Sequence, residues 1–264
     1  MSLPRPFYRT IRSVRSHPNA RYSARAFVTD PEYAEKPEHY VRAWLLIQED
    51  LKALFEYVEP SPECLDTYSY RIHALLIRTC IEVEANFKAI FSANNFTPPK
   101  RNLNIRDYRK VDATHHLSSY DVILPMWNEG GPGTYRVWTP FGAWRPARGQ
   151  ADPGGLALPW YQAYNASKHD RLVQFKQANL RNLMGAVTAL VVLISSQFAD
   201  QDFARDETLS LSSELIPFRS TAGSFFRVKY PDDWSDDELY EFDWAVLRNE
   251  EHRFDKHDYD AIPL

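Results

Sequence analysis

Three stretches of the chain carry apolar residues at helical spacing. From Glu38 to Val58 these are Val41, Trp44, Leu45, Ile47, Leu51, Leu54, Phe55 and Val58, and Pro60 and Pro62 forbid continuation. A second helix is predicted over 64–93, with Leu76, Cys80, Val83, Phe87 and Ile90 as its apolar stripe and Pro98 and Pro99 beyond its end. A separate stripe of the same helix carries Arg71, Arg78, Glu82 and Asn86, and Glu84 and Lys88 form an i,i+4 pair of favourable polarity. The third stretch, 174–199, is apolar almost all round its middle, from Met184 to Ile194, which predicts the core helix of a bundle.

Between the second and third stretches the period changes. Residues 103–119 read as a short polar helix or irregular segment containing His115 and His116. Residues 120–125 and 134–139 read as short strands joined through the turn-forming run Asn128-Glu-Gly-Gly-Pro-Gly-Thr134. This predicts a β-hairpin at about 120–140, with Trp127, Trp138, Phe141 and Trp144 capping one end of the helical body. Further strand and helix candidates are 224–230 and 237–248.

The expected fold class is therefore mainly α: a bundle of long helices with a small aromatic-rich β-hairpin and a C-terminal extension. Residues 1–37, rich in Arg, Ser and Pro, read as an extended arm. Residues 38–200 read as one helical domain with the inserted hairpin, and 201–264 as an extension packed on it.

Composition narrows the function classes. The 264 residues are 44% hydrophobic and 25% charged, as in soluble globular proteins, and the net charge of −4 means that any basic surface must be local. Two cysteines, Cys64 and Cys80, make neither a disulfide framework nor a zinc spacing, so reduced thiols and a cytoplasmic location are expected. Few glycines disfavour a glycine-rich nucleotide-binding fold. The basic N-terminus lacks the apolar segment of a secretory signal, and 184–194 is too short to span a bilayer, so no membrane partner is expected. Neither a metal nor a cofactor is expected.

The densest chemistry lies in 158–171, Leu-Pro-Trp-Tyr-Gln-Ala-Tyr-Asn-Ala-Ser-Lys-His-Asp-Arg. On a helix, Tyr161 neighbours Tyr164 and Asn165, Tyr164 neighbours Lys168, Asn165 neighbours His169, and Lys168 neighbours Arg171. Tyr164-x-x-x-Lys168 has the spacing of the short-chain dehydrogenase proton-transfer pair. That reading fails because the chain lacks the Gly-rich turn after a first strand and the βαβ alternation, and Ala151 stands where that family carries its serine.

Leu124-Pro-Met-Trp127 and the block Trp160-Tyr-x-x-Tyr-Asn-x-x-Lys-His-Asp-Arg171, followed by the long apolar helix, resemble the HEPN superfamily of helical-bundle proteins, by way of an uncharacterised bacterial family with the same block. The resemblance covers about residues 40–200. It implies a metal-independent ribonuclease-type protein acting on RNA or a nucleotide in a defence or stress context, with a homodimer as its expected assembly. The superfamily's Arg and His, separated by four to six residues on one helix, are not found before His169. Arg12 to His17 and Arg109 to His115 or His116 have the spacing. On this reading His169, Lys168 and Tyr164 are the catalytic candidates, and Arg171, Asn165, Tyr161, Arg78 and Glu82 bind substrate or support them. The alternative is a non-enzymatic interaction module in which the block is a structural polar network.

Overall fold

Pro37, whose missing N–H costs nothing at the first helical position, opens α1 (Pro37–Phe55). Its buried face is Val41, Trp44, Ile47, Leu51 and Leu54, and the Trp44 indole N–H donates to the Ala222 carbonyl at 3.1 Å. The next long helix, α2 (Tyr70–Ala93), starts six residues later than its periodicity suggests. Pro62–Cys64 forms a separate 3-10 turn, and the Ser69 hydroxyl caps α2 by accepting the Ile72 N–H at 3.2 Å. In this computed structural model, residues 2–15, 25–129, 134–151, 154, 156–203 and 217–264 are described; the predicted turn at 130–133, and His17, lie outside them.

Two further helices complete the core, α3 (Pro159–His169) and α4 (Leu180–Phe198). The predicted start of α4 at 174 gives way to single turns at Arg171–Gln174 and Phe175–Gln177, after which Asn179 caps α4 by accepting the Asn182 N–H at 3.1 Å. By length and composition α4 is able to cross a membrane, yet 83% of its apolar window is buried inside the protein. It packs along α2, with α1 and α3 against both. Gly185 on α4 receives Trp160 of α3: a Cβ there would lie 2.9 Å from the Trp160 Cβ. Trp160 in turn donates its indole N–H to the Pro140 carbonyl at 2.9 Å.

The β structure is larger than a hairpin. Strands β1 (Asp121–Asn128), β2 (Tyr135–Trp138), β3 (Arg219–Ser220) and β4 (Arg227–Lys229) form one antiparallel sheet in the order β2-β1-β4-β3. Val122 of β1 lies opposite both Trp138 and Val228. Register slips between Ile123 and Asn128, where Pro125 removes a ladder donor from the strand. The described residues are thus mainly α with a small four-stranded sheet. The predicted helix at 237–248 shrinks to one turn, Trp244–Leu247. The N-terminal segment lies alongside the C-terminal one: Leu3 bridges to Tyr240 and Phe7 to Asp255, and the Ile11 N–H reaches the Ser196 carbonyl of α4 at 2.8 Å.

Candidate functional site

The polar block of α3 divides into an inner and an outer half. On the inner half, the Tyr161 hydroxyl donates to a carboxylate oxygen of Glu84 on α2 at 2.9 Å. The ring of Tyr164 sits 5.5 Å from that of Tyr161. Lys168 donates from Nζ to the Tyr164 hydroxyl at 3.1 Å and lies 5.0 Å from its ring centre. The i,i+4 tyrosine–lysine contact read from the sequence is therefore made. Its chemistry is that of a brace: burial raises the pKa of Tyr164 despite the opposing ammonium, and burial beside Glu84 raises that of Tyr161. The bond to Tyr164 raises that of Lys168. Each group is held in its ordinary protonation state, and both tyrosines are buried.

The outer half faces water. Lys168 and His169 at the end of α3, then Asp170, Arg171, Leu172 and Val173, are all exposed, and Asn165 is half-buried one turn earlier. The Arg171 guanidinium lies 5.7 Å from the centre of the Tyr70 ring, and that ring is 4.8 Å from Phe175. Phe175 also meets Tyr68 at 5.5 Å and His73 at 5.9 Å. Beyond Tyr70, Arg71 stands 5.9 Å from the Tyr57 ring. Tyr57 is 77% and Tyr70 68% exposed. The start of α2 and the segment after α3 thus share one basic and aromatic face, which only the folded chain assembles.

Among the described residues, the α2 carboxylate bonded to the block is Glu84, and no hydrogen bond or ion pair joins Arg78 or Glu82 to it. Arg78 pairs with Asp50 of α1, while Glu84, one helical stripe away, takes Tyr161 and also lies 3.8 Å from Lys88. Burial raises the pKa of the half-buried Glu82 carboxyl, with Arg78 opposing it. The sequence contains Glu84 as half of a local ion pair; its second role depends on how α2 and α3 are set against each other. We expect Tyr161→Phe to cost roughly 1–2 kcal/mol, because it leaves a Glu84 oxygen without its donor, read as a lower urea midpoint at unchanged slope.

The Arg109 and His115 pair that has the superfamily spacing is sealed. Residues 105–119 are a chain of short helical turns. Within them the Arg109 guanidinium is buried, giving its protons to the carbonyls of Ala147 (2.9 Å) and Gln150 (3.0 Å). His115 has no exposed surface and bonds to the Arg9 carbonyl at 2.9 Å and Thr114 Oγ1 at 2.8 Å. Burial drives its pKa down to about 3.

Beside it is a constellation that the sequence does not announce. His116, held at φ 50°, places Nδ1 3.1 Å from Asp233 and Nε2 3.2 Å from Glu238, and stacks on Trp234. Asp233 also accepts from Ser119 and Arg148, both at 2.7 Å, and Arg148 lies 3.6 Å from the fully buried Asp112. This clasp ties 112–119 and 148 to the C-terminal segment. Only the His115-His116 pair marks it in the sequence, since the bonds that build it span 29 to 122 residues. Among the described residues no group of three or more His, Cys, Asp or Glu could hold a metal ion. No protein-family model, curated protein or solved structure matches the chain.

Proposed function

We propose that the protein handles RNA by binding a single strand across the basic and aromatic face at the end of α3, on a HEPN-like bundle of long helices working in the cytoplasm. The observation that carries this reading is the placing of exposed guanidinium groups against exposed rings, Arg171 by Tyr70 and Arg71 by Tyr57. Rings stack bases of any identity and neighbouring cations follow the phosphates, the combination that single-stranded RNA requires. Lys176, also exposed, adds a further cation to this segment. Tyr161, Tyr164 and Lys168 hold α3 in place beneath it. Were the face also to cut RNA, the exposed imidazole of His169 is the candidate proton carrier.

Fluorescence anisotropy with a short mixed-sequence RNA tests this. Arg171→Ala and Tyr70→Ala are expected to weaken binding roughly tenfold each, the equivalent of about 1.4 kcal/mol. Arg171→Ala also flattens the slope of log affinity against log salt, by about 0.7 for each phosphate that the protein no longer neutralises, whereas Arg78→Ala leaves affinity unchanged. A wild-type protein that binds no RNA ends the proposal. Leu172 and Val173, 94% and 70% exposed, favour a second reading, a helical interaction module that pairs with another copy. Sedimentation of Leu172→Ser/Val173→Ser separates the two, since self-association is lost only under that second reading.

A further inference from the structure

Arg9 is a cation that the fold removes from water without an ion-pair partner among the described residues. Its side chain is 2% exposed. It donates from one Nη to Gln197 Oε1 at 2.8 Å and from the other to the Glu35 carbonyl at 3.0 Å. The rings of Tyr40 and Phe198 lie 4.6 and 5.5 Å from the guanidinium carbon. Neutral acceptors and ring faces satisfy its geometry, but a buried charge without an opposite charge is costly. Burial pulls its pKa down, with Tyr40, Tyr33 and Glu35 opposing.

Arg9 is one of the residues lining a cavity of about 360 Å³, together with Lys36, His39, Tyr40 and Ser92. Lys36 is the residue before α1 and makes no side-chain cap, so the positive end of a 19-residue helix also opens there. Glu35 is the acidic residue on the wall; it is exposed, and its carbonyl is engaged by Arg9.

We propose that this cavity binds a small phosphate monoester, with Arg9 as the buried counter-charge and Lys36, His39 and the Tyr40 and Ser92 hydroxyls around the phosphate. The donor-bearing residues that both helices and the arm contribute to the wall outnumber what the two oxygens of a carboxylate can accept, and suit a group with three terminal oxygens. The volume admits a small organic ester as well as its phosphate. The site is independent of the RNA-binding face. Ser92 is near the C-terminal end of α2 and Tyr70 at its start, which the helical rise sets about 33 Å apart.

Calorimetric titration of the full chain at constant ionic strength, with inorganic phosphate, glycerol 3-phosphate and succinate as probes, tests the site. We expect saturable binding of both phosphates and a weaker response to succinate. Lys36→Gln, at an exposed position that leaves the core intact, should weaken phosphate binding about fivefold, and Glu35→Gln should tighten it about threefold, as expected for single charges near a protein surface. Arg9→Gln, checked for folding by circular dichroism, should abolish binding. The proposal is overturned by absence of saturable phosphate binding up to about 10 mM, beyond which an interaction is weaker than roughly 3 kcal/mol. It is equally overturned by affinities that ignore both Lys36→Gln and Glu35→Gln, or by succinate binding as tightly as glycerol 3-phosphate.

Discussion

Acidification from neutrality to about pH 5 is expected to remove up to about 4 kcal/mol of folding stability, a large share of what a marginal domain possesses. The cause is a pair of sealed histidines. His115 and His257 are buried side by side, with ring centres 6.0 Å apart, and Thr10 Oγ1 lies between them, 3.4 Å from the first and 3.1 Å from the second. Phe7 stacks on His257 at 3.8 Å. Burial, and then the nearby Arg12, lowers the pKa of His257 well below its ordinary value, and burial takes that of His115 to about 3. Both rings are therefore neutral in the folded protein. Their contribution is complete above the unfolded value of about 6.5 and is lost as pH falls below it, by about 1.4 kcal/mol per pH unit for each ring.

His116, whose pKa burial and Arg148 also lower, acts in the same direction. Asp112 opposes it, since burial raises its pKa and favours the protonated carboxyl in the fold. The carboxylates with lowered values, Asp233 and Glu238, contribute only further into acid, as pH drops below the unfolded carboxyl range. Urea titrations at both pH values measure the loss directly. His257→Asn, which cannot take up a proton, should weaken the pH dependence above the carboxyl range, and equal midpoints at the two pH values contradict the assignment.

Gly185→Val is the second large effect. The Cβ it introduces falls 2.9 Å from the Cβ of Trp160, an atom fixed by its own backbone, with the indole's first ring atoms 3.1 Å away. Neither helix can yield locally, because α4 is buried along nearly its whole length and Trp160 is anchored to Pro140. Overpacking of this kind costs about 3 kcal/mol, which for a chain of this size lowers Tm by roughly 6–12 °C. Because α3 must move away from α4, the proposed RNA affinity is expected to fall with it, whereas Val187→Ala, a cavity on another face of α4, is expected to lower Tm while leaving that affinity intact. Thermal melts and anisotropy on the two variants separate displacement of the site from loss of stability.

What the sequence makes legible is what a helix repeats every 3.6 residues. The apolar stripes of α1, α2 and α4, and the contact of Tyr164 with Lys168 one turn later, need no knowledge of the fold. Interhelical partners are another matter. Glu84 faces Tyr161 while Arg78 faces Asp50 because α2 presents different stripes to α3 and α1, and that rotation is set by packing rather than by the sequence of either helix. The full sheet is hidden for a similar reason. β4 pairs with β1 across about a hundred residues, and Pro125 makes β1 read as too broken for an inner strand. Arg9 falls within a stretch that reads as an extended arm; its burial against Gln197 depends on where that arm crosses α4.

The proposed binding of RNA at the end of α3 is tested most directly by hydrogen–deuterium exchange, with and without a saturating short single-stranded RNA. Binding at this face predicts slowed exchange confined to 56–58, 68–73 and 168–177, around Tyr57, Tyr70, His169 and Arg171, and none near Arg78. Protection centred on any other surface, or an exchange pattern unmoved by RNA, would contradict it.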